Sequence, residues 1–210
     1  MPPTGHTVSA TSASERALRV DRATGLLEGV RQVLSPHLNA RPSGVLPDLI
    51  VVHGISLPPG EFGGLAIDQL FTGTLDWDAH PYFQQIRGLQ ASTHAVIRRD
   101  GAVTQYVPLT ERAWHAGVSQ YGSRSGCNDF SVGIELEGTD DTPYTDAQYE
   151  ALARLIRALL AAYPSLSAER LVGHSDIAPG RKTDPGPHFD WARFRASLDP
   201  RCGSKLRFPG

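Results

Sequence analysis

Apolar positions along this chain follow two rhythms that alternate from one end to the other. Leu49 to Ile55 is almost continuously apolar, as expected of a central strand buried on both faces. Thr93 to Arg98 and Val103 to Val107 flank Asp100-Gly101, a strong hairpin-turn pair, and predict two adjacent strands. Ser131 to Leu136 and Arg170 to Gly173 read as two further short strands. Tyr149, Leu152, Leu155, Ile156, Leu159 and Leu160 instead recur at helical spacing and predict a helix over Asp146 to Ala162. Thr145 and Gln148 offer it a capping box, and Pro164 ends it. Shorter helices are expected at Pro81 to Leu89 and Trp191 to Leu198. Strands interleaved with helices predict an α/β fold: a single domain with a central mixed β-sheet flanked by helices.

The pattern also sets the expected boundaries. Met1 to Arg16 is rich in Pro, Ser, Thr and Ala, so residues 1–24 read as a flexible tail. The domain is expected over 25–198, with a second tail over 199–210. The long connection from His53 to Thr93 carries Pro58-Pro59-Gly60 and Gly63-Gly64. Excursions of that length are often functional, and Ser56 to Gly88 within it is expected to wall a cleft and to move.

Composition narrows the function. The chain has 210 residues, 40% hydrophobic and 20% charged, which suits one well-buried core. A net charge of −2 with no basic block gives no footprint for nucleic acid. No stretch approaches the ~18–20 apolar residues of a membrane span. Cys127 and Cys202 are too few for a disulfide scaffold and read as free thiols in a reducing compartment. The first residues lack the apolar core of a secretory signal, so a cytoplasmic location is expected.

The candidate chemistry lies near the C-terminal end. Gly173-His174-Ser175-Asp176 and Arg181-Lys182-Thr183-Asp184-Pro185 place a histidine, a lysine and carboxylates on one short segment. A lone histidine after a buried strand, such as His53, is more often a core residue. Joined to His174 and Asp184 it completes three zinc ligands and leaves a fourth position for water, the pattern of a catalytic site at a cleft. Asp176 is a rival carboxylate ligand, but two residues from His174 it reads as a turn residue or one that supports a ligand. Lys182 and Asp184 stand two apart, so in extended chain they face the same side. Trp114 and His115 read equally as core or cleft-lining residues. No P-loop, G-x-G-x-x-G, G-x-S-x-G or H-E-x-x-H is present, so nucleotide binding, serine hydrolysis and the helical zinc-protease scheme lack support.

Four segments carry a resemblance. Val52-His53-Gly54-Ile55-Ser56-Leu57-Pro58-Pro59-Gly60-Glu61-Phe62-Gly63-Gly64, Arg112-Ala113-Trp114-His115-Ala116-Gly117-Val118-Ser119, Gly133-Ile134-Glu135-Leu136-Glu137-Gly138 and Gly173-His174-Ser175-Asp176-Ile177-Ala178-Pro179 occur in this order. Together with Arg181 to Pro187 they resemble the AmpD-type N-acetylmuramoyl-L-alanine amidases, relatives of the peptidoglycan-recognition proteins. The resemblance implies Zn2+ held by His53, His174 and Asp184, with Glu135 as catalytic acid/base rather than Glu137. It also implies Lys182 as the oxyanion-stabilising residue and a small muropeptide substrate, for which Trp114, His115 and Arg124 are the candidate contacts. The implied reaction is hydrolysis of the amide between the (1,6-anhydro-)N-acetylmuramic acid lactyl group and L-alanine, in cytoplasmic peptidoglycan recycling. A non-catalytic recognition module and a lytic amidase acting on polymeric wall are the alternatives. Two departures stand out. Gly54 replaces the asparagine common after the first ligand, and Gln90 and Gly126 stand where family arginines are expected, with Arg87 and Arg124 nearby.

Overall fold

The computed structural model describes residues 17–198. In chain order these form β1 (Arg19–Asp21), β2 (Leu26–Glu28), β3 (Arg31–Gln32), β4 (Leu38–Ala40), β5 (Leu49–Ile55), α1 (Ala66–Thr72) and α2 (Pro81–Gln85). There follow β6 (Ala95–Ile97), β7 (Val103–Gln105), β8 (Glu111–Ala113), β9 (Gln120–Tyr121), β10 (Arg124–Ser125) and β11 (Ser131–Glu137). The chain ends with α3 (Asp146–Ala162), β12 (Leu171–Gly173), α4 (His174–Ile177) and α5 (Trp191–Leu198).

The main sheet has six strands in the order β12-β5-β11-β6-β7-β3. β12, β5, β11 and β6 run parallel, and β6 turns back antiparallel into β7 through the Asp100-Gly101 hairpin. The sheet is therefore mixed, with its parallel part at the centre. β5 and β11 are the long strands, and every residue of β11 is buried. That explains why they lack the alternation of a half-exposed strand.

The two sheet faces are covered differently. Ile50, Val52, Val132, Ile134 and Leu136 point to the face packed by Tyr149, Leu152, Leu155, Ile156 and Leu159 of α3. α3 starts as its sequence predicts: Thr145 Oγ1 accepts from Gln148 N–H at 3.2 Å, and Gln148 Oε1 accepts from Thr145 N–H at 3.1 Å. The other face carries two smaller apolar clusters. Leu49, Val51, Ala116, Cys127 and Phe130 form one, while Leu57, Ile67, Leu70, Phe71, Val96 and Tyr106 form the other.

Differences from the sequence reading have local causes. Residues 17–24 join the fold rather than a tail: β1 pairs with β2, and Leu18 and Val20 pack on the main core. Arg19-Val20-Asp21 offers one apolar position, too few to show a period. Residues 1–16 and 199–210, with Cys202, lie outside the described residues. α1 was unread because Leu65 stands at its start without a side-chain cap. Ile67, Leu70 and Phe71 hold it through packing instead. α2 stops at Gln85, short of Leu89.

A buried charge network ties α1 to the sheet. Asp68 accepts from Arg31 at 2.7 Å, from Arg98 at 2.8 Å and from the Tyr106 hydroxyl. Arg98 also donates to Glu137 Oε1 at 2.9 Å. Burial acts to raise the Asp68 carboxyl, but the Tyr106 hydroxyl and the two guanidinium groups hold it below its ordinary value. Its stabilisation is therefore complete above the unfolded-chain value of ~3.9 and is lost as pH falls through the lower folded value. We expect Asp68→Asn to cost about 2–4 kcal/mol near neutral pH. Urea unfolding should show the wild-type advantage shrinking below about pH 4, and an advantage unchanged down to about pH 2 would contradict this role.

Candidate metal centre and active site

Parallel register assembles the site. Glu135 on β11 lies directly beside His53 on β5, and Gly173 on β12 lies beside Val52. His174, the next residue, therefore emerges next to His53 at the carboxyl ends of three neighbouring strands. Such strand ends are where open α/β sheets place their ligands. Asp184 is delivered by the return of the chain: Ser175 N–H donates to its carbonyl at 3.0 Å, and the Tyr144 hydroxyl donates to the Pro185 carbonyl at 2.9 Å.

The structure brings His53, His174 and Asp184 together. His53 Nδ1 lies 2.9 Å from His174 Nδ1, and Asp184 Oδ2 lies 3.0 Å from His174 Nδ1 and 3.3 Å from His53 Nδ1. The outer nitrogens decide what these atoms are. His174 Nε2 faces the Ala116 carbonyl at 3.2 Å, and a carbonyl only accepts, so the proton sits on Nε2. A neutral ring with its proton there presents a bare lone pair on Nδ1, the form that ligates a metal. His53 Nε2 lies 2.8 Å from His115 Nδ1, away from the cluster. Burial pushes the His53 imidazole down to about 4, so the ring is neutral at pH 7. Burial also acts to raise the Asp184 carboxyl, but the flanking imidazoles of His174 and His53 hold it well below the usual carboxylate range.

This donor set fits a metal ion. Two imidazoles and one carboxylate converge with ligand atoms within 4.8 Å of one another. Ligands about 2.1 Å from a tetrahedral ion stand roughly 3.4 Å apart, close to the spacing found here. Three protein ligands leave one position open to the adjoining cleft, which encloses about 770 Å³. Asp176 is not part of the group: its Oδ2 accepts from Gly173 N–H at 2.7 Å and caps α4.

Glu135 borders the same cleft. It is 9% exposed, and its Oε2 is buried without a hydrogen-bond partner. Burial, and then the negative charge of Asp184, push its carboxyl well above the ordinary value, with Lys182 opposing. Its rival Glu137 is fully engaged: Oε1 accepts from Gly63 N–H at 2.7 Å and from Arg98, and Oε2 from Arg99 N–H at 3.2 Å. Lys182 is exposed and lines the cleft beside Asp184.

The residues expected to touch substrate divide. Trp114 lines the cleft, stacks on His37 with centroids 5.8 Å apart, and donates from Nε1 to Asn39 Oδ1 at 2.6 Å. His115 also borders the cleft, yet both of its ring nitrogens are engaged, Nδ1 with His53 and Nε2 with Ser131 Oγ at 3.0 Å. Arg124 is not brought to the cleft. Asp48 pairs with it at 3.0 Å, and its guanidinium lies 3.9 Å from the Phe130 ring centre. Arg87 is likewise paired, with Asp78. At Gly54 a Cβ would stand 2.5 Å from the Tyr144 hydroxyl, so Tyr144 closes the space beside this position.

Several contributors were invisible in the sequence reading. Asn128 Oδ1 accepts from the backbone N–H groups of His115 and Ala116 at 3.0 and 2.8 Å and fixes the loop that presents both. Arg181 donates to the carbonyls of Ala116 and Val118, each at 2.6 Å, and joins that loop to the Asp184 segment. One signal was readable. Gly133 interrupts a buried strand, which marks close approach of another group. A Cβ there would lie 2.4 Å from His115 Cγ.

Comparison with known proteins gives the family. The model of a family described as N-acetylmuramoyl-L-alanine amidase matches residues 43–187. The chain belongs to the N-acetylmuramoyl-L-alanine amidase family. It is 63% identical over 171 residues to the 1,6-anhydro-N-acetylmuramyl-L-alanine amidase AmpD of Escherichia coli K12, covering 81% of this chain and 93% of that protein. A crystal structure of a selenomethionine AmpD derivative superposes with a TM-score of 0.82 at 60% identity, covering 85% of this chain and 98% of that one. AmpDh3 of Pseudomonas aeruginosa, solved in complex with anhydromuramic pentapeptide, is 30% identical with a TM-score of 0.52, covering 72% and 59%.

For this amidase fold we expect Asp184→Ala to weaken metal retention at least tenfold, in line with loss of a ligand, and Lys182→Ala to leave it within about threefold of wild type. Competition with a chelating dye measures both, and equal losses would merge the two roles.

Proposed function

We propose that this chain is a zinc-dependent amidase that hydrolyses the bond between the lactyl group of 1,6-anhydro-N-acetylmuramic acid and L-alanine of the stem peptide. We place the reaction in cytoplasmic recycling of small muropeptides, the branch to which the name of its 63%-identical relative points. Among the described residues no helix is long and apolar enough to cross a membrane. The observation that carries the reading is the convergence of His53, His174 and Asp184 beside Glu135, a buried carboxyl that borders the same cleft and has one oxygen without a hydrogen-bond partner.

Zinc held by His53, His174 and Asp184 would supply a Lewis acid and would lower the pKa of a bound water to about 7. The chain's own groups supply the rest. Glu135 takes the proton of the attacking water and returns it to the departing amine, which suits a carboxyl raised toward neutrality by burial. Lys182 presents its ammonium to the negative charge that develops on the carbonyl oxygen. Trp114 and the apolar wall of Leu57, Phe71 and Ile86 bound the cleft and limit bulk water around the amide.

Glu135→Gln should keep bound zinc and lose about 10²–10⁴-fold in turnover. Because the Glu135 carboxyl is raised and must be ionised to act as base, the acidic limb of kcat/KM should lie above the ~4.3 of an ordinary glutamate and vanish in the variant. Mass spectrometry of a defined anhydromuropeptide gives the products, and intact sacculi serve as the competing substrate. Release of free stem peptide from the anhydromuropeptide supports the reading. Exclusive attack on sacculi, or turnover near wild type in Glu135→Gln, contradicts it.

A further inference from the structure

Behind the cluster three imidazoles follow one another into the core. Ring centroids are 4.4 Å apart from His174 to His53 and 4.9 Å apart from His53 to His115. The row ends on Ser131, whose Oγ lies 3.0 Å from His115 Nε2 and 2.6 Å from the Cys127 carbonyl. We propose that Ser131 and His115 are positioning residues, a one-directional hydrogen-bond relay that holds His53 in the tautomer with Nε2 protonated and the Nδ1 lone pair turned to the cluster. The proposal rests on the reading of His53 as a metal ligand.

The direction follows from counting protons. The Cys127 carbonyl only accepts, so it takes the single Ser131 hydroxyl proton. Ser131 Oγ must then accept from His115 Nε2–H. A neutral imidazole carries one proton, so His115 Nδ1 is an acceptor, and it accepts from His53 Nε2–H. Neighbouring His94 does not compete, because its Nδ1 accepts from Gly133 N–H at 3.0 Å. Reversing the relay would place two acceptors 2.6 Å apart at Ser131 and Cys127, and would put a proton on His53 Nδ1, where it blocks the metal. Space for the relay depends on Gly133.

A ligand histidine loses about 10–100-fold in metal affinity when its outer hydrogen-bond partner is removed. The first readout is the His115 tautomer, by long-range proton–nitrogen NMR on the full chain with and without zinc. We expect the proton on Nε2 in both samples. The second is zinc affinity by dye competition. His115→Phe should lose about 10–100-fold and Ser131→Ala a smaller share, while His115→Asn, whose Oδ1 can stand in for Nδ1, should recover most of the loss. A His115 proton on Nδ1 overturns the proposal, and so does wild-type affinity in both His115→Phe and Ser131→Ala. Wild-type protein that binds no zinc while His115 still carries its proton on Nε2 defeats the ligand assignment itself and, with it, the relay's purpose. The NMR result needs no variant and stands even where His115→Phe fails to fold.

Discussion

Two imidazole nitrogens and a carboxylate oxygen face one another across about 3 Å at the carboxyl end of the sheet. Each is driven there by a contact on its far side. His174 is turned by the Ala116 carbonyl, His53 by His115, and Asp184 by the bonds that pin its segment to Ser175 and Tyr144. Lone pairs that close repel unless a cation lies between them. The rest of the site takes its logic from that constraint, including the Asp184 charge that, after burial, pushes the Glu135 carboxyl above its ordinary value.

The sheet makes the constraint affordable by dividing its labour. One face is sealed by α3, whose apolar stripe covers β5, β11 and β6 in the main core. That leaves the other face free to carry polar groups between two small apolar clusters. Glu135 and Glu137 share this second face but not their fate. Arg98, Gly63 and Arg99 satisfy Glu137, which becomes a structural anchor for the loop carrying Gly63, whereas Glu135 keeps a buried oxygen without a hydrogen-bond partner. Two carboxylates two residues apart thus acquire opposite characters from their neighbours alone.

Much of this was legible in the chain before its fold. The central strands, the Asp100-Gly101 hairpin and α3 with its capping box follow from short-range patterns, and short-range forces build them. The cluster of His53, His174 and Asp184 was readable as a residue set because a strand end and a proline-rich turn each carry their own signal. What escaped was long-range or weakly patterned. α1 lacks a cap, β1 has one apolar residue, and the Ser131–His115 link joins groups 16 residues apart through a glycine-sized gap. Arg124 shows the reverse error: its position suggested a substrate contact, but Asp48, 76 residues away, holds it elsewhere.

The most direct test of the central claim is X-ray absorption at the zinc edge of the loaded protein. The account predicts one zinc per chain bound by two imidazole nitrogens and one carboxylate oxygen, with a further light atom, all at about 2.0–2.2 Å. A sulfur shell at about 2.3 Å, or a spectrum with fewer than two imidazoles, would contradict it.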